Sequence, residues 1–355
     1  ETGEFLTDLG NGRRLARLHG QDLRWTYELG WLHWDGRAWT RDLTGEAMRR
    51  AKSVALGFYD DARAAFDDAR TKADQLRGAR AAGDEERASN LEREIVALEL
   101  RAKGRLKWAA ACQARARLDA MVALAASETP IPVRSDDFDR DPWLLNVANG
   151  TLDLRSGDLR PHRREDLLTV AAPVAYDPAA ECPTWERFLT RIMGGDGALI
   201  SFLQRVVGYS LTGDVSEQKL FFAWGAGANG KSTFIGAVLD MLGGDYAAQA
   251  APDLLVAGSQ RHPTELADLR GKRLIASIEV DEVIASGVEL TQPRHEVVAF
   301  HMCDHGVDAQ AGRDVTHGGG TRRGIQPAGV ADDFDPFLDT GSEHVLHLPY
   351  ERLGV

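Results

Sequence analysis

The spacing of apolar and polar residues changes several times along the chain, and the first change separates residues 1–45 from the helical segment that begins at residue 46. Residues 1–45 place four tryptophans, Trp25, Trp31, Trp34 and Trp39, among glycines and charged residues. Such a pattern is typical of short strands joined by tight turns, so we predict a small Trp-rich β unit over 1–45. Tryptophans between arginines also suit base stacking, but a compact core of half-buried rings is the favoured interpretation.

Residues 46–128 follow a helical period. Ala, Arg, Glu and Leu dominate, and apolar residues such as Leu91 and Ile95 recur at helical spacing. Gly83, followed by an aspartate, interrupts the pattern once, which predicts two long helices in an antiparallel hairpin. The arginines of this region are interpreted as a solvated face rather than as a DNA contact.

Residues 129–189 begin with a linker rich in Pro and Asp and continue with alternating apolar positions around Asn149-Gly150. This alternation predicts a β-hairpin with Asn149-Gly150 at its turn. Asp153 and Asp158 suggest a metal pair, but turn chemistry explains two aspartates at these positions better. From residue 182 onward, two amphipathic helices separated by Gly-Gly-Asp are expected.

The segment GAGANGKS, residues 225–232, matches the phosphate-binding pattern G-x-x-x-x-G-K-[ST] at every fixed position. An apolar run over 220–224 precedes it, and the apolar sequence TFIGAVLDML follows it. A strand, a glycine-rich loop and a helix are therefore predicted, as this motif requires. A glycine-rich turn that binds nothing is the alternative, and the complete match favours phosphate binding.

Glycines in such a loop let successive backbone N–H groups point inward, and the following helix adds the positive end of its dipole. Lys231 is expected to reach the β- and γ-phosphates of ATP, and the Ser232 hydroxyl to ligate Mg²⁺. The predicted nucleotide-binding residues are Gly225, Ala226, Gly227, Ala228, Asn229, Gly230, Lys231, Ser232 and Thr233.

Hydrolysis of ATP also needs a carboxylate near the metal and the attacking water. The run GKRLIASIEVDE, residues 271–282, has the apolar content of a strand and ends in acids. We predict that it is a neighbouring strand of a parallel sheet and that Glu279 is the catalytic and metal-binding carboxylate, with Asp281 and Glu282 behind it. A strand followed by solvated acids is the alternative.

Composition narrows the class of protein. A chain of 355 residues is long enough for two or three domains, and 27% charged with 43% hydrophobic residues is typical of a soluble globular protein. Apolar runs are too short for a membrane span, so a cytoplasmic protein without a membrane partner is expected. Three widely spaced cysteines favour reduced thiols. A net charge of -12 argues against a uniformly basic nucleic-acid binder.

From Glu4 to about Glu282 the chain resembles the phage and plasmid primase-helicases, a branch of the superfamily III helicases whose N-terminal region is shared with poxvirus primase-helicases. The blocks that carry the resemblance are DPWLLNVANGTLDLRSGDLRPH, CPTWERFL, FLQRVVGYSLTGD, LFFAWGAGANGKSTF and RHPTELADLRGKRLIASIE. The resemblance implies an α/β P-loop ATPase core, AAA+-like, over 190–285, behind a mixed α+β N-terminal region with a long helical hairpin.

The resemblance further implies an ATP-driven helicase or translocase that acts on DNA as a homo-hexamer, with other replication proteins of a phage or plasmid as partners in a bacterial cytoplasm. Lys231 and Ser232 then match the phosphate and magnesium positions of the family, and Glu279 matches its acidic Walker B residue.

Residues 286–355 depart from the family, which would continue with a DNA-contacting segment, a sensor asparagine and an arginine finger beside a tryptophan. No asparagine follows Asn229 and no tryptophan follows Trp224. From 285 to 355 the sequence has 5 Lys and Arg against 11 Asp and Glu, and Arg322-Arg323 is its one arginine pair. We interpret this tail as a replaced, truncated or frame-shifted end, irregular in structure, and expect slow ATP hydrolysis without DNA unwinding.

Other interpretations remain open. His301, Cys303 and His305 alternate and would share one face of a strand, which suggests a metal site, although the usual ligand gaps are missing. A catalytically silent nucleotide-binding assembly module would keep the P-loop without a sensor or finger. A small-molecule P-loop kinase would share the loop but would leave the long upstream region unexplained.

Overall fold

The structure is a computed structural model that describes residues 5–217, 219–223, 229–250, 269, 271–278 and 298–301. Its contacts divide the chain into two compact units. Unit 1 comprises Glu1–Arg140 and His162–Val170, and unit 2 comprises Asp141–Pro161 and Ala171–Val355. The hairpin of segment 129–189 belongs to unit 2, whereas residues 129–140 and 162–170 of the same segment belong to unit 1.

The described part of unit 1 consists of α-helices and a three-stranded antiparallel sheet in the order β1-β2-β3. Its elements are α1 (Asp8–His19), β1 (Leu23–Thr26), β2 (Gly30–Trp34), β3 (Trp39–Arg41), α2 (Glu46–Ala81), α3 (Glu85–Cys112) and α4 (Arg115–Ala125).

Helix α1 corrects the prediction that 1–45 is a β unit throughout, since strands occupy only the second half of that segment. The Thr7 hydroxyl caps the helix by accepting a hydrogen bond from the Gly10 amide at 3.0 Å. Gly12 lies inside the helix because α4 approaches there, and a Cβ on Gly12 would stand 2.9 Å from the Leu124 Cβ. Glycine in this segment therefore marks close helix packing as well as turns.

The long helical hairpin is confirmed. Helices α2 and α3 contain 36 and 28 residues and are joined by a short turn at Gly83, whose φ is +72°. The Asp84 carboxylate caps α3 by accepting from the Arg87 amide at 3.0 Å. Val54 near the start of α2 shares a core cluster with Ala109 near the end of α3, so the two helices run antiparallel.

The tryptophans of unit 1 are part of its cores, as expected. Trp39 is fully buried between Leu32 and Phe138, and its indole N–H donates to the Arg164 carbonyl at 2.9 Å. Trp25 and Trp31 are half-buried against the larger helical cluster. Burial with a satisfied N–H is what a core tryptophan requires.

Unit 2 contains a small antiparallel sheet, β4-β5-β6, and a four-stranded sheet in the order β7-β10-β9-β8. Its elements are β4 (Leu144–Val147), β5 (Gly150–Asp153), β6 (Asp158–Arg160), α5 (Pro183–Ile192), α6 (Gly197–Leu211), β7 (Leu220–Ala223), α7 (Lys231–Tyr246, with a break at Gly243), β8 (Ala247–Ala250), β9 (Leu274–Ile278) and β10 (Val298–His301).

The predicted hairpin is present, but its turn lies one residue earlier than expected: β4 and β5 pair with Val147 opposite Gly150, so Ala148-Asn149 form the turn and Gly150 is the first residue of β5. Asp153 acts as a turn residue, because its carboxylate accepts from the Arg155 amide at 3.0 Å. The two predicted amphipathic helices are α5 and α6, and Asp196 caps the second by accepting from the Leu199 amide at 3.0 Å.

The four-stranded sheet corrects two expectations. Strand β9 was expected beside the strand that precedes the loop, but β10 lies between them and pairs antiparallel with both β7 and β9. Strand β10 also shows that the tail is regular at Val298–His301, where a short apolar run fills a place in the sheet. His301 lies in this strand, and Cys303 and His305 lie outside the described residues.

Candidate functional site

The segment that carries the phosphate-binding pattern lies between β7 and α7 of unit 2. Strand β7 ends at Ala223, and α7 begins at Lys231 with Gly230 as its N-cap. Of the predicted nucleotide-binding residues, the structure describes Asn229, Gly230, Lys231, Ser232 and Thr233, whereas Gly225, Ala226, Gly227 and Ala228 lie outside the described residues. The strand before the loop and the helix after it are the context that the pattern predicts.

Gly230 is fixed by two independent constraints. Its φ is +90°, in the left-handed region that glycine adopts without steric cost. A Cβ at this position would stand 2.7 Å from the Ile192 Cγ2 and 3.3 Å from the Phe188 ring, both on α5. The end of the loop is therefore set by backbone conformation and by packing against α5.

Lys231 is the first residue of α7 and is 9% exposed. Its ammonium group donates to the Asn229 side-chain oxygen at 2.8 Å, which holds the lysine over the end of the loop. The first hydrogen bond of the helix runs from the Phe234 amide to the Gly230 carbonyl at 2.9 Å. The N-terminus of a helix carries the positive end of the helix dipole, which is the feature that phosphate-binding loops use.

Ser232 and Thr233 follow in the first turn of α7, and both side chains are exposed. Their position next to the buried Lys231 suits groups that meet a ligand from solvent. A magnesium ion accompanying a nucleotide prefers oxygen ligands, and a serine hydroxyl at this point fits that preference. Within the described ranges, no group of three His, Cys, Asp or Glu side chains is placed to hold a metal ion.

Strand register relates the loop to the end of β9. Ala223, the last residue of β7, pairs with Val298, and Ile278, the last residue of β9, pairs with the same Val298. Both strands run antiparallel to β10 and hence parallel to each other, so they end level at one edge of the sheet. Two strand spacings separate these ends by about 10 Å. Glu279 comes directly after Ile278 in the sequence and lies outside the described residues.

Aromatic packing supports α7 from the side of α5. The Trp185 ring stacks on Phe188 at 5.4 Å between centroids and on Phe234 at 5.6 Å. Phe234 is buried, together with the next apolar residues along the same face of α7, Ile235 and Val238. This packing holds the first turn of α7 in place, because Phe234 lies only three residues after Lys231.

A buried arginine, which the sequence did not predict, lies at the other end of β9. Arg273, 5% exposed, donates to the carbonyls of Leu144 and Leu211, and its guanidinium lies 4.6 Å from the centre of the Tyr246 ring. The Tyr246 hydroxyl accepts from the Asn146 amide at 3.1 Å. These contacts connect β9 to the β4-β5 hairpin and to α6 and α7. The sequence around Arg273 does not predict them, because all of these partners are distant along the chain.

Comparison with known proteins gives one family. The family model described as D5 N terminal like matches residues 12–194, more than half of the chain. No curated protein matches the chain. Among the described helices, none combines the length and apolar character needed to cross a bilayer.

Proposed function

Because the chain belongs to the D5 N terminal like family, the N-terminal domain of phage, plasmid and poxvirus D5-like primase-helicase proteins, we propose that it is an ATP-binding DNA helicase or translocase component of a replication primase-helicase. The observation that carries ATP binding is the position of Lys231. It begins a helix directly after a glycine-rich loop whose sequence matches the phosphate pattern in full.

The proposed site assigns separate tasks to the residues around α7. The loop from Gly225 to Gly230 and the first amides of α7 surround the phosphates, and the Lys231 ammonium group neutralises the β- and γ-phosphate charge. Ser232 would hold Mg²⁺, which supplies electrostatic stabilisation of the triphosphate when bound. Thr233 adds a second hydroxyl at the same helix turn.

Glu279 is the proposed carboxylate for the attacking water and the metal. It follows β9, whose end is level with the end of β7, so it starts from the same edge of the sheet as the loop. Its place in the sequence directly after β9 supports this role, because hydrolysis of ATP needs a carboxylate near the metal and the attacking water.

From the family we propose DNA and other phage or plasmid replication proteins as partners. We also propose that the chain assembles into a homo-hexameric ring and acts in the cytoplasm. Turnover of ATP by the chain is proposed to be slow. The arginine finger of the family lies beside a tryptophan, and no tryptophan follows Trp224. Such a finger contributes about 10³ to 10⁵ in rate. Arg322 and Arg323, which lie outside the described residues, are the pair whose replacement by alanine tests this point. DNA-stimulated hydrolysis that disappears in that double variant would contradict slow, finger-free turnover.

The same missing flanks favour one second candidate, a catalytically silent nucleotide-binding module that contributes to an assembly. This candidate retains ATP binding at Lys231 and differs in having no turnover at all. Measured hydrolysis that depends on Glu279 separates the two functions.

Titration with a fluorescent ATP analogue in the presence of Mg²⁺ tests the proposal. Lys231→Ala is expected to weaken binding at least tenfold, because the variant removes the cation that meets the phosphates. Lys219→Ala is the matched control, since Lys219 is exposed and precedes β7 at the opposite end of the strand from the loop. Equal affinity of wild type and Lys231→Ala would refute the assignment of the loop.

Glu279→Gln tests the catalytic assignment by a different readout. The variant is expected to retain ATP affinity and to lose whatever hydrolysis the wild type shows, because an amide does not serve as a base for water. Reduced affinity with unchanged turnover per bound ATP would instead assign Glu279 a structural role.

A further inference from the structure

One face of α5 contacts the chain on both sides of Lys231. Trp185, Phe188 and Ile192 follow one another at spacings of three and four residues, so they lie on the same side of the helix. Ile192 and Phe188 lie against Gly230, the residue before the lysine. Trp185 stacks on Phe234, three residues after the lysine. Lys231 therefore lies between two contacts that the same helix provides.

The contact before the lysine is made by one methyl group of Ile192. A Cβ on Gly230 would stand 2.7 Å from the Ile192 Cγ2, which is closer than a Cβ comes to another heavy atom. The backbone of Gly230, with its φ of +90°, turns the chain from the loop into α7. The Ile192 Cγ2 thus helps to fix where this turn lies.

The contact after the lysine is made by parallel aromatic rings. The planes of Trp185 and Phe234 differ by 13°, and their centroids are 5.6 Å apart. The Phe234 amide also donates to the Gly230 carbonyl at 2.9 Å, so the first turn of α7 joins the two contact points. A displacement of α5 would therefore move the residue before Lys231 and the turn after it together.

The position of Lys231 depends on this backbone, because its side chain is already buried and held. The ammonium group donates to the Asn229 side-chain oxygen at 2.8 Å. Misplacement of a functional group by about 1 Å can lower the rate of an enzyme on the order of 100-fold. A small shift of α5 is therefore sufficient to change how well the ammonium group meets a phosphate.

We propose that Ile192 and Phe188 are positioning residues of the nucleotide site. Through Gly230 they set the place of Lys231, so the affinity for ATP depends on how α5 lies against the loop. This inference rests on the proposed function, because ATP binding is its readout.

The position of α5 in the sequence gives this contact a regulatory meaning. Helix α5 is the last helix within residues 12–194, the part of the chain that the family model matches. A change that moves this end of the family region would alter the affinity for ATP. Bound ATP would in turn hold α5 in place, since coupling between two parts of a protein is reciprocal.

Two conservative substitutions of Ile192 separate positioning from packing. Valine retains the Cγ2 methyl group that lies against Gly230 and lacks the terminal methyl group. Leucine retains the size of the side chain but branches one carbon further out and has no Cγ2. Both residues are tolerated in helices and in cores, so both variants are expected to fold with small losses of stability, which urea denaturation checks.

Titration with the fluorescent ATP analogue and Mg²⁺ is the test. Ile192→Leu is expected to bind about five- to tenfold more weakly than wild type, a coupling of ordinary size, and Ile192→Val to bind nearly as wild type. Equal losses in both variants, or no loss in Ile192→Leu, would overturn the positioning role.

Lys231→Ala in the same titration separates this inference from the proposed function. Loss of binding in Lys231→Ala with full binding in Ile192→Leu would remove the positioning role alone. Full binding in Lys231→Ala would remove the nucleotide site itself.

Amide hydrogen exchange measures the coupling from the side of α5 and needs no substitution. Saturating Mg-ATP is expected to slow exchange in peptides of α5 about five- to tenfold, the same factor by reciprocity. The turn between α2 and α3 at Gly83, which belongs to unit 1, is the control and is expected to exchange at an unchanged rate. Unchanged exchange in α5 with ATP bound would overturn the coupling.

Discussion

The candidate site of unit 2 and the ion pairs around Asp61 of unit 1 are built in opposite ways. In unit 2 the proposed site is one continuous segment that ends at the first turn of α7, where Gly230 has a positive φ. In unit 1 Arg14 of α1 and Arg105 of α3 both lie against Asp61, although they are more than 80 residues apart in the sequence. The first arrangement depends largely on local conformation, whereas the second depends on how three helices pack.

The largest expected difference in stability is between two glycine-to-alanine variants. Gly230→Ala is expected to cost about 2 to 4 kcal/mol of unfolding free energy and to weaken ATP binding, because it combines a strained φ with a contact of 2.7 Å to Ile192. Gly57→Ala is expected to be neutral or to stabilise by about 0.5 to 1 kcal/mol, since Gly57 lies inside α2 and its Cβ would make one ordinary contact, 3.6 Å from the Arg14 Nη2 on α1.

Urea denaturation of the two variants measures this difference. Combining Gly230→Ala with Ile192→Ala removes the steric part of the cost and leaves the strain of φ, so the pair separates packing from backbone conformation. Equal stability of Gly230→Ala and Gly57→Ala would show that the end of the loop is not set by its backbone.

The same contrast explains which features were predictable. The helical hairpin, the β4-β5 hairpin and the strand and helix that flank the loop before Lys231 follow from local spacing, and the structure shows each of them, with the β4-β5 turn one residue earlier than predicted. Helix α1 was not predicted, because the tryptophans and glycines of residues 1–45 were interpreted together as strands and turns, whereas Gly10 and Gly12 lie where Phe5 and α4 approach the helix closely.

Features that depend on distant partners were not predictable. The anchor at Arg273 joins residues 129 positions apart, and the insertion of β10 between β7 and β9 depends on sheet order, which apolar runs do not encode. The ion pairs around Asp61 need the packing of three helices. For the nucleotide site, the sequence predicted the motif and Glu279, and the assignments of ligand and catalytic roles stay predictions.

Asp61 offers a smaller test on the side of unit 1. Asp61→Asn is expected to destabilise the protein by about 1 to 2 kcal/mol, because Arg14 and Arg105 lose the carboxylate that they share. Asp60→Asn, at an exposed neighbouring position, is the control. Urea denaturation measures both variants, and equal stability of the two would contradict the role given to Asp61.

The smallest expected effect concerns an ion pair of unit 1 away from Asp61. Hydrogen bonds from Arg50 and Arg49, both at 2.7 Å, lower the pKa of Glu46. A lowered folded pKa stabilises the protein above the unfolded value of about 4.3, and this contribution is lost as the pH falls through the folded value.

Glu46→Gln is therefore expected to lower stability by about 0.3 to 1 kcal/mol at neutral pH and to approach the wild type near pH 3. Thermal unfolding of both proteins across this range measures the difference. A difference that grows as the pH falls would have the wrong sign for this ion pair and would place the effect elsewhere.

The central claim is that the loop before α7 binds ATP with Lys231 placed by α5, and one set of titrations tests it most directly. The fluorescent ATP analogue is titrated with Mg²⁺ into wild type, Lys231→Ala, Ile192→Leu and Ile192→Val. We expect Lys231→Ala to lose the most affinity, Ile192→Leu to lose less, and Ile192→Val to bind nearly as wild type. Unchanged binding by Lys231→Ala, or equal losses in the two Ile192 variants, would contradict the account.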